Sequence, residues 1–387
     1  MKVIVVGGVA AGASAAARLR RLDEKAEIII FEQGEHVSFS NCGLPYHLGG
    51  TIPDADDLVL MTPRAFKARH NIEVRVNSRV TAIDRKAKTV TVQPKEGPAY
   101  TEHYDKLILA PGAAPIVPGS IPGVRSPHVF TLRNVTDVKA IKAYIDEQGV
   151  TRAAVVGGGF IGVEVAENLA CAGLLVTLVE GADQVLAPFD YDMAQILHKE
   201  LMDNGVQVEL NSLLTAVHPD RITVTRDGEA FDLPAQMVVL AIGVSPETAL
   251  AKDAGLAIGE TRGIKVDANW RTEDEDVYAV GDARRGPATV VEAIADAARA
   301  AGAIVSLDLG KYAGANIGPD HQAPLARRGD LCADCHTCGD SRCLGCATVC
   351  ETCAEVCPNR ANIAVKVPGM AMRQIVHMDG MCNECGN

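Results

Sequence analysis

KVIVVGGVAAG, residues 2–12, is the stretch from which the fold can be inferred. Its apolar, β-forming start predicts a strand, and the glycine-rich turn after it leads into an Ala-rich stretch typical of a helix. A second apolar run, EIIIF at 27–31, ends at Glu32, twenty residues past Gly12. Strand, tight turn, helix, strand and then an acid is the pattern of a dinucleotide-binding βαβ unit.

Each position in this pattern has a physical reason. Gly7 permits a sharp turn, Gly12 lets helix and strand pack closely, and free N–H groups at the helix start face a pyrophosphate. Glu32 can accept hydrogen bonds from a ribose hydroxyl. Val9 replaces the middle glycine of the usual pattern, so a glycine-rich turn without a ligand is the alternative. The candidate contacts of this first nucleotide are Gly7, Gly8, Ala11, Gly12 and Glu32.

The pattern returns in the middle of the chain with all three glycines. AAVV at 153–156 precedes GGGFIG at 157–162, and LVTLV at 175–179 ends at Glu180. A carboxylate at this position favours the free 2′-hydroxyl of NAD over the 2′-phosphate of NADP. The candidate contacts of this second nucleotide are Gly157, Gly159, Phe160, Ile161, Gly162 and Glu180.

Two dinucleotide folds in one chain indicate two nucleotides. A flavin and a nicotinamide are the natural pair, because a hydride can pass between their stacked rings. We therefore expect FAD at the first site and NAD(H), rather than NADP(H), at the second.

Three further segments resemble the two-domain flavoprotein disulfide reductases and stand in that family's order. They are LILAPG at 107–112, AIG at 241–243 and TEDEDVYAVGD at 272–282. The resemblance runs from residue 1 to about residue 305. It implies that Asp282 holds the ribityl chain of FAD and that further cofactor contacts come from Asn41, Val80, Ala110, Gly112 and Gly243.

A narrower resemblance centres on Cys42. SFSNCGLPY at 38–46 is similar to the branch that contains CoA-disulfide reductases, NADH oxidases and peroxidases, and persulfide reductases. His47 stands where a paired-cysteine enzyme would have its second cysteine. Oxidised Cys42 must then be a sulfenic acid or a mixed disulfide with a substrate thiol. The alternative is a buried structural cysteine, which is also our prediction for Cys171.

The same branch implies a thiol or disulfide substrate related to CoA. Its CoA-contacting positions match Arg18, Arg21, Ser38 and Asn41, although the two arginines also fit a solvated helix face. Phe160 matches an aromatic residue that gates the nicotinamide pocket, and packing beneath the glycine turn is its alternative.

After Asp282 the chain departs from this family. RRGPATVVEAI at 284–294 resembles the small subunit of glutamate synthase and related selenate reductase-like proteins. There, a helix starting near Ala288 and Thr289 aims its N-terminus at the flavin pyrimidine, where a positive helix end stabilises an anionic reduced flavin. Nothing in the sequence resembles the family's dimerisation domain.

The C-terminal part is rich in cysteine. Ten of the twelve cysteines follow a Gly-, Ala- and Pro-rich linker at 306–330. Their spacing, with a closing C-x2-C-x3-C-P, resembles a bacterial ferredoxin and predicts a [4Fe–4S] cluster. A zinc site and unligated thiols are the alternatives, and the incomplete last motif indicates a truncated gene product. The candidate ligands are Cys332, Cys335, Cys338, Cys343, Cys346, Cys350, Cys353, Cys357, Cys382 and Cys385.

Composition narrows the class of partner. A net charge of −12 without a long basic run argues against nucleic acid and anionic membranes. The apolar runs are too short for a membrane span, and the start shows no signal peptide, so we expect a cytoplasmic protein. The expected fold is α/β, with a FAD domain at 1–112 and 244–305, a nicotinamide domain at 113–243 and a cysteine-rich tail at 331–387.

Three functions remain open from the sequence. The first is an enzyme that passes hydride from NADH through FAD to Cys42 and a disulfide, persulfide or peroxide. The second is an electron-transfer protein that sends electrons through the cluster to a protein acceptor. The third is a zinc-anchored scaffold that merely retains nucleotide folds.

Overall fold

The structure, a computed structural model, describes residues 1–306, 362–365 and 374–377. The chain forms two compact units, Met1–Val305 and Ser306–Asn387. The ten tail cysteines and all of the predicted linker except Ser306 lie outside the described residues. Their expected roles therefore stay predictions.

The first unit alternates strands and helices along the chain. Its strands are β1 (Lys2–Val6), β2 (Glu27–Phe31), β3 (Glu73–Arg75), β4 (Ser78–Asp84), β5 (Thr89–Pro94), β6 (Tyr100–His103), β7 (Lys106–Leu109), β8 (Ala113–Pro115), β9 (Val129–Phe130), β10 (Arg152–Val156), β11 (Leu175–Val179), β12 (Val206–Glu209), β13 (Leu213–Val217), β14 (Arg221–Arg226), β15 (Glu229–Pro234), β16 (Met237–Leu240), β17 (Val244–Pro246) and β18 (Val277–Ala279). Its α-helices are α1 (Ala10–Leu22), α2 (Leu44–Leu48), α3 (Pro63–His70), α4 (Val135–Gln148), α5 (Phe160–Cys171), α6 (Tyr191–Asp203), α7 (Ala249–Asp253), α8 (Asp282–Arg285) and α9 (Val290–Ile304).

Two parallel five-stranded sheets form the framework. The first has the order β18-β7-β1-β2-β3 and the second the order β12-β11-β10-β16-β9. The central strands β1 and β10 are buried on both faces, as the continuous apolar runs KVIVV and RAAVV predict. The predicted α/β class with two Rossmann-like sheets is confirmed.

The chain leaves the first sheet and returns to it. β7 pairs in parallel with β1 on one side and with β18 on the other, although the whole second sheet lies between β7 and β18 in sequence. The two crossing segments pair with each other, because β8 and β17 are antiparallel with Ala114 opposite Ser245. The domain boundaries at 112 and 243 stay predictions, which this pairing supports.

Each parallel sheet carries an antiparallel three-stranded sheet, β4-β5-β6 in the first case and β13-β14-β15 in the second. Each small sheet has a register irregularity, at Val80/Ala82 and at Leu214/Ala216. The two halves of the unit are therefore built as a structural repeat.

Helix α9 packs against α1 through small side chains. Ala13 and Ala16 of α1 share one core with Ala297, Ala300 and Ala301 of α9. Small residues on both faces let the helices approach closely. α9 starts at Val290 with Thr289 as its N-cap, two residues later than the predicted start near Ala288.

The described residues of the second unit form one antiparallel pair, β19 (Asn362–Val365) with β20 (Gln374–His377). In the part of the chain that the structure describes, no helix is both long and apolar enough to cross a membrane.

Candidate functional site

The first glycine turn leaves no space for side chains. Gly7 has φ +96°, and a Cβ there would lie 2.1 Å from the Ala110 carbonyl oxygen. A Cβ on Gly12 would lie 1.9 Å from the Gly7 carbonyl oxygen. The start of α1 is therefore pressed against the end of β1, which brings its backbone N–H groups to the sheet edge.

Glu32 is anchored at this same edge. One carboxylate oxygen accepts from the Gly8 N–H and the other from the Gly34 N–H, both at 2.8 Å. Both contacts are to backbone groups, so the carboxylate is fixed while it keeps lone pairs for a ribose hydroxyl. The buried Glu32 lines the cavity described below.

The second turn repeats this geometry. Gly157 has φ +111°, and a Cβ on Gly162 would lie 1.8 Å from the Gly157 carbonyl oxygen. The Glu180 carboxylate accepts from the Gly158 N–H at 2.5 Å and from the Ala182 N–H at 2.8 Å. The first turn thus has the same local structure as the second, although it has Val9 where the second turn has its middle glycine.

Both helices that follow these turns begin without a side-chain cap. Val9 and Gly159 are the N-cap residues of α1 and α5, and neither makes a side-chain capping hydrogen bond. The first N–H groups of each helix are therefore left for another acceptor. A pyrophosphate suits this position, because the helix dipole also favours an anion there.

A cavity of about 280 Å³ opens at the first turn. Of the predicted cofactor residues, it is lined by Gly7, Gly8, Ala11, Glu32, Asn41, Val80, Ala110, Gly112 and Asp282. Gly12 lies beneath the turn instead, and Ala288 and Thr289 are not part of the lining. The residues present fit an extended dinucleotide, because the lining follows the sheet edge from Glu32 to Asp282.

Sequence reasoning missed four charged residues of this lining, Glu35, Arg79, Arg133 and Glu247. The last two are held by backbone contacts. Arg133 donates to the Pro111 carbonyl at 3.0 Å, and the Glu247 N–H donates to the Gly112 carbonyl at 2.9 Å. Glu247 directly follows β17, whereas Arg133 lies between β9 and α4. No local sequence signal marks Arg133 and Glu247, because each contacts a segment that is distant in sequence.

Asp282 lies at the opposite end of the lining from Glu32. It follows Gly281, whose φ of +66° a side chain would strain, and its carboxylate accepts from the Ala288 N–H. Burial raises the pKa of Asp282, while the Ala288 hydrogen bond and the charges of Arg285 and Arg133 oppose that rise. Asp282 is thus a partly buried acceptor facing the cavity.

Cys42 is exposed, within a 3₁₀ turn at Asn41–Gly43 that leads into α2. This excludes a buried structural cysteine. Its neighbour Asn41 lines the cavity. Leu44 and Leu48 of α2 share a core with Leu169 of α5, the helix that follows the second turn. The cysteine segment is therefore held between the two halves of the unit.

Buried residues next to Cys42 fix the position of the cysteine segment. His47 is buried, and its Nδ1 lies 2.8 Å from the Ile52 carbonyl oxygen. A Cβ on Gly49 would lie 2.4 Å from Oδ1 of the buried Asn168 on α5. His47 thus has a structural contact at the position where a second redox cysteine would stand.

Two interpretations from the sequence are wrong, one on Phe160 and one on Cys171. Phe160 is 58% exposed and meets Phe189 edge-on at 6.3 Å, so it does not pack beneath the turn. Arg18 and Arg21 are half-buried, and their assignment to CoA or to a solvated helix face stays a prediction. The prediction that Cys171 packs in the core is also wrong: α5 ends at this residue, which leaves its side chain exposed.

Two further predicted residues, Ser38 and Gly243, lie at different places in the fold. Ser38 has φ +49° and donates its backbone N–H to the Gly8 carbonyl at 2.8 Å, so it lies against the first turn. Gly243, at φ +109°, begins the return crossing. Among the described residues no cluster of metal-binding side chains occurs.

The second turn is also supported by His198 of α6. The Val185 N–H donates to Nε2 of His198 at 3.0 Å, and Leu186 donates to the Gly158 carbonyl at 2.8 Å. Nε2 can accept only when it carries no proton, so this contact requires a neutral imidazole. Protonation of His198 therefore breaks its hydrogen bond with Val185, which lies next to the Leu186 contact with the second turn.

We expect this contact to make stability depend on pH. Burial lowers the pKa of His198 from its usual 6.5, so the folded state resists protonation more than the unfolded state does. The stabilisation is present above pH 6.5 and is lost as the pH falls through the lowered pKa, with a slope of at most about 1.4 kcal/mol per pH unit. Urea titrations at a series of pH values measure it.

His198→Gln is the matched variant, because the amide oxygen can accept from Val185 but does not titrate. Its unfolding free energy should fall less between pH 7 and pH 5 than that of the wild type. Identical pH profiles would show that His198 does not contribute.

Two dinucleotide turns on one repeated α/β framework, with an exposed thiol held between the halves, are typical of the class of two-nucleotide α/β proteins. The chain belongs to the pyridine nucleotide-disulphide oxidoreductase family, whose model matches residues 1–297.

Three proteins similar to this chain indicate which members of the family it resembles. The chain is 37% identical over 284 residues to a coenzyme A disulfide reductase of Staphylococcus haemolyticus, covering 73% of this chain and 62% of that protein. It is 38% identical over 285 residues to an NADH oxidase of Methanocaldococcus jannaschii, covering 73% and 63%. A NAD-dependent persulfide reductase from A. fulgidus has a similar structure, with a TM-score of 0.74, 35% identity and coverage of 79% and 59%. The chain thus spans about 62–63% of the two sequence relatives' length.

Proposed function

We propose that this protein is a FAD-dependent NADH oxidoreductase that reduces a disulfide or persulfide through Cys42. The observation that carries the proposal is the position of Cys42, exposed and held between the two nucleotide-binding halves. The names of the three relatives, a CoA disulfide reductase, an NADH oxidase and a persulfide reductase, support it.

In this proposal FAD binds the cavity and NAD(H) binds the second turn. The start of α1, Glu32 and Asp282 would hold FAD, which supplies a two-electron carrier between nicotinamide and thiol. Glu180 favours NADH, because its carboxylate would repel a 2′-phosphate. The exposed ring of Phe160 would cover the nicotinamide pocket at the start of α5.

The chemistry assigned to Cys42 is thiol–disulfide exchange. Its thiolate attacks one sulfur of the substrate R–S–S–R, the S–S bond breaks, and one RS⁻ leaves and takes up a proton. The electron pair from NADH then breaks the Cys42–S–R bond and releases the second thiol. The balance is NADH + H⁺ + RSSR giving NAD⁺ and two RSH.

A CoA disulfide or persulfide is the substrate class we propose. Arg18 and Arg21 of α1 provide positive charge for the phosphates of CoA, and Ser38 and Asn41 flank the cysteine segment. A redox thiol that must be reduced again suits the cytoplasm, the location we propose.

Anaerobic NADH oxidation with CoA disulfide, a CoA persulfide or glutathione disulfide as the sole acceptor tests this function. We expect turnover with a CoA-containing acceptor and little with glutathione disulfide. Turnover only with an artificial one-electron acceptor would contradict the proposal and favour electron transfer to a partner protein.

For the tail we propose a [4Fe–4S] cluster, on the basis of the cysteine spacing alone. Iron, acid-labile sulfide and zinc can be quantified in anaerobically purified protein. We expect about four iron and four sulfide per cluster, whereas zinc without iron would establish the alternative site.

A further inference from the structure

A buried carboxylate, Asp296, lies on α9 one turn after Ala293, which lines the cavity, and it has no part in the mechanism above. Its side chain is 1% exposed. It accepts from Trp270 Nε1 at 2.9 Å, from Arg285 Nη2 at 2.8 Å and from Arg284 Nη1 at 3.3 Å. A buried charge needs such partners, since it is otherwise strongly destabilising.

These contacts connect α9 to α8, a single turn of helix. Asp282 is the first residue of α8 and lines the cavity, whereas Arg284 and Arg285 are its last two residues. The Gly286 N–H closes the turn by donating to the Asp282 carbonyl at 2.9 Å. Whatever holds the two arginines therefore also fixes the backbone that carries Asp282.

Arg285 lies three residues after Asp282 in the same single turn of helix, a spacing that places both side chains on one face of that turn. Its charge is one of two, with that of Arg133, that lower the pKa of the Asp282 carboxyl against the effect of burial. In the structure its guanidinium instead contacts Asp296 and, at 2.8 Å, Oε1 of Glu292. The Asp282 carboxylate accepts from the Ala288 N–H and faces the cavity.

We propose that Asp296 is a positioning residue of the flavin site: it holds Arg285 away from Asp282, so that the Asp282 carboxylate stays available to FAD. This inference rests on the proposed function. Without the Asp296 charge, Arg285 keeps its Nη1 contact with Glu292, but its Nη2 loses its carboxylate partner. That end of the guanidinium then turns to Asp282, and Asp282 loses its orientation toward the cofactor.

The test is a double-mutant cycle on FAD affinity. Holoprotein carrying Asp296→Asn, Asp282→Asn or both is dialysed to equilibrium against a series of FAD concentrations, and bound flavin is measured by absorbance. Asp296→Asn should raise the dissociation constant about tenfold. In the Asp282→Asn background the same change should alter it less than about twofold, because Asp296 acts through Asp282.

Trp270 is the chain's single tryptophan, so its emission shows whether each variant keeps a folded indole environment. Asp203→Asn is the matched control, since this carboxylate pairs with Lys199 in an exposed i, i+4 contact on α6, distant in sequence from Asp282 and Asp296. It should bind FAD as the wild type does. If Asp296→Asn does not fold, Trp270→Phe, which removes one donor to Asp296, takes its place in the cycle with an expected effect of about threefold. Because this variant has no tryptophan, its folding is checked by circular dichroism.

Equal FAD affinity of the wild type and Asp296→Asn would overturn this inference alone. So would additive losses in the double variant, since a merely structural role predicts them. Failure of the wild type to bind FAD would overturn the proposed function as well.

Discussion

Cys42→Ser should reduce NADH oxidation by a CoA disulfide or persulfide at least about a thousandfold, because a hydroxyl cannot form the mixed disulfide through which the substrate bond is broken. The NADH-dependent loss of flavin absorbance should persist, since neither glycine turn involves Cys42. Anaerobic steady-state and single-turnover absorbance measurements on the same preparation separate the two effects.

Cys171→Ser is the matched control for this experiment. Cys171 is the other described cysteine and is likewise exposed, but it lies at the far end of α5 from the second turn. It should retain wild-type turnover. Equal activity of Cys42→Ser and the wild type would remove the thiol from the mechanism and leave electron transfer to a partner as the better account.

Gly162→Ala should have the second large effect, on NADH binding and on folding together. The added methyl group would lie 1.8 Å from the Gly157 carbonyl oxygen and 3.3 Å from the Ala241 Cβ, so the start of α5 must move away from the sheet. We expect a loss of about 2–3 kcal/mol in the free energy of unfolding. A displacement of about 1 Å can also cost about 100-fold in rate.

Gly159→Ala is the variant that should weaken NADH binding without lowering the stability of the protein. A Cβ at Gly159 would meet no protein atom within 4 Å, and its φ of −76° suits alanine. Its unfolding free energy should match the wild type, while NADH affinity falls because the backbone can no longer approach the pyrophosphate. Chemical denaturation and NADH titration of the flavin absorbance measure both quantities; equal stability of Gly162→Ala and the wild type would contradict the packing argument.

Much of the fold was predictable because its signals are local. β1, β2 and β11 have the predicted bounds, and β10 starts one residue earlier, at Arg152. The glycines at 7, 12, 157 and 162 are required by contacts within a single βαβ unit, so the sequence around each one contains the reason for it. The same locality let Glu32 and Glu180 be recognised as residues at the ends of strands.

The remainder depends on segments that are distant in sequence. Glu247 follows β17, which pairs with β8, and Arg133 contacts the Pro111 carbonyl from 22 residues away. Asp296 is buried where α9 meets the two arginines of α8. The wrong prediction for Cys171 has a different cause. Its apolar neighbours in sequence indicated burial, but α5 ends at Cys171 and the side chain is exposed. Helix periodicity does not locate the end of a helix to within one residue.

The central claim is that electrons from NADH reach a substrate disulfide through this chain. It is tested most directly by counting, in one anaerobic reaction with limiting CoA disulfide, the NADH consumed and the free thiols released. The account predicts two thiols for each NADH, by the balance of the exchange reaction. NADH consumption without thiol release would contradict it.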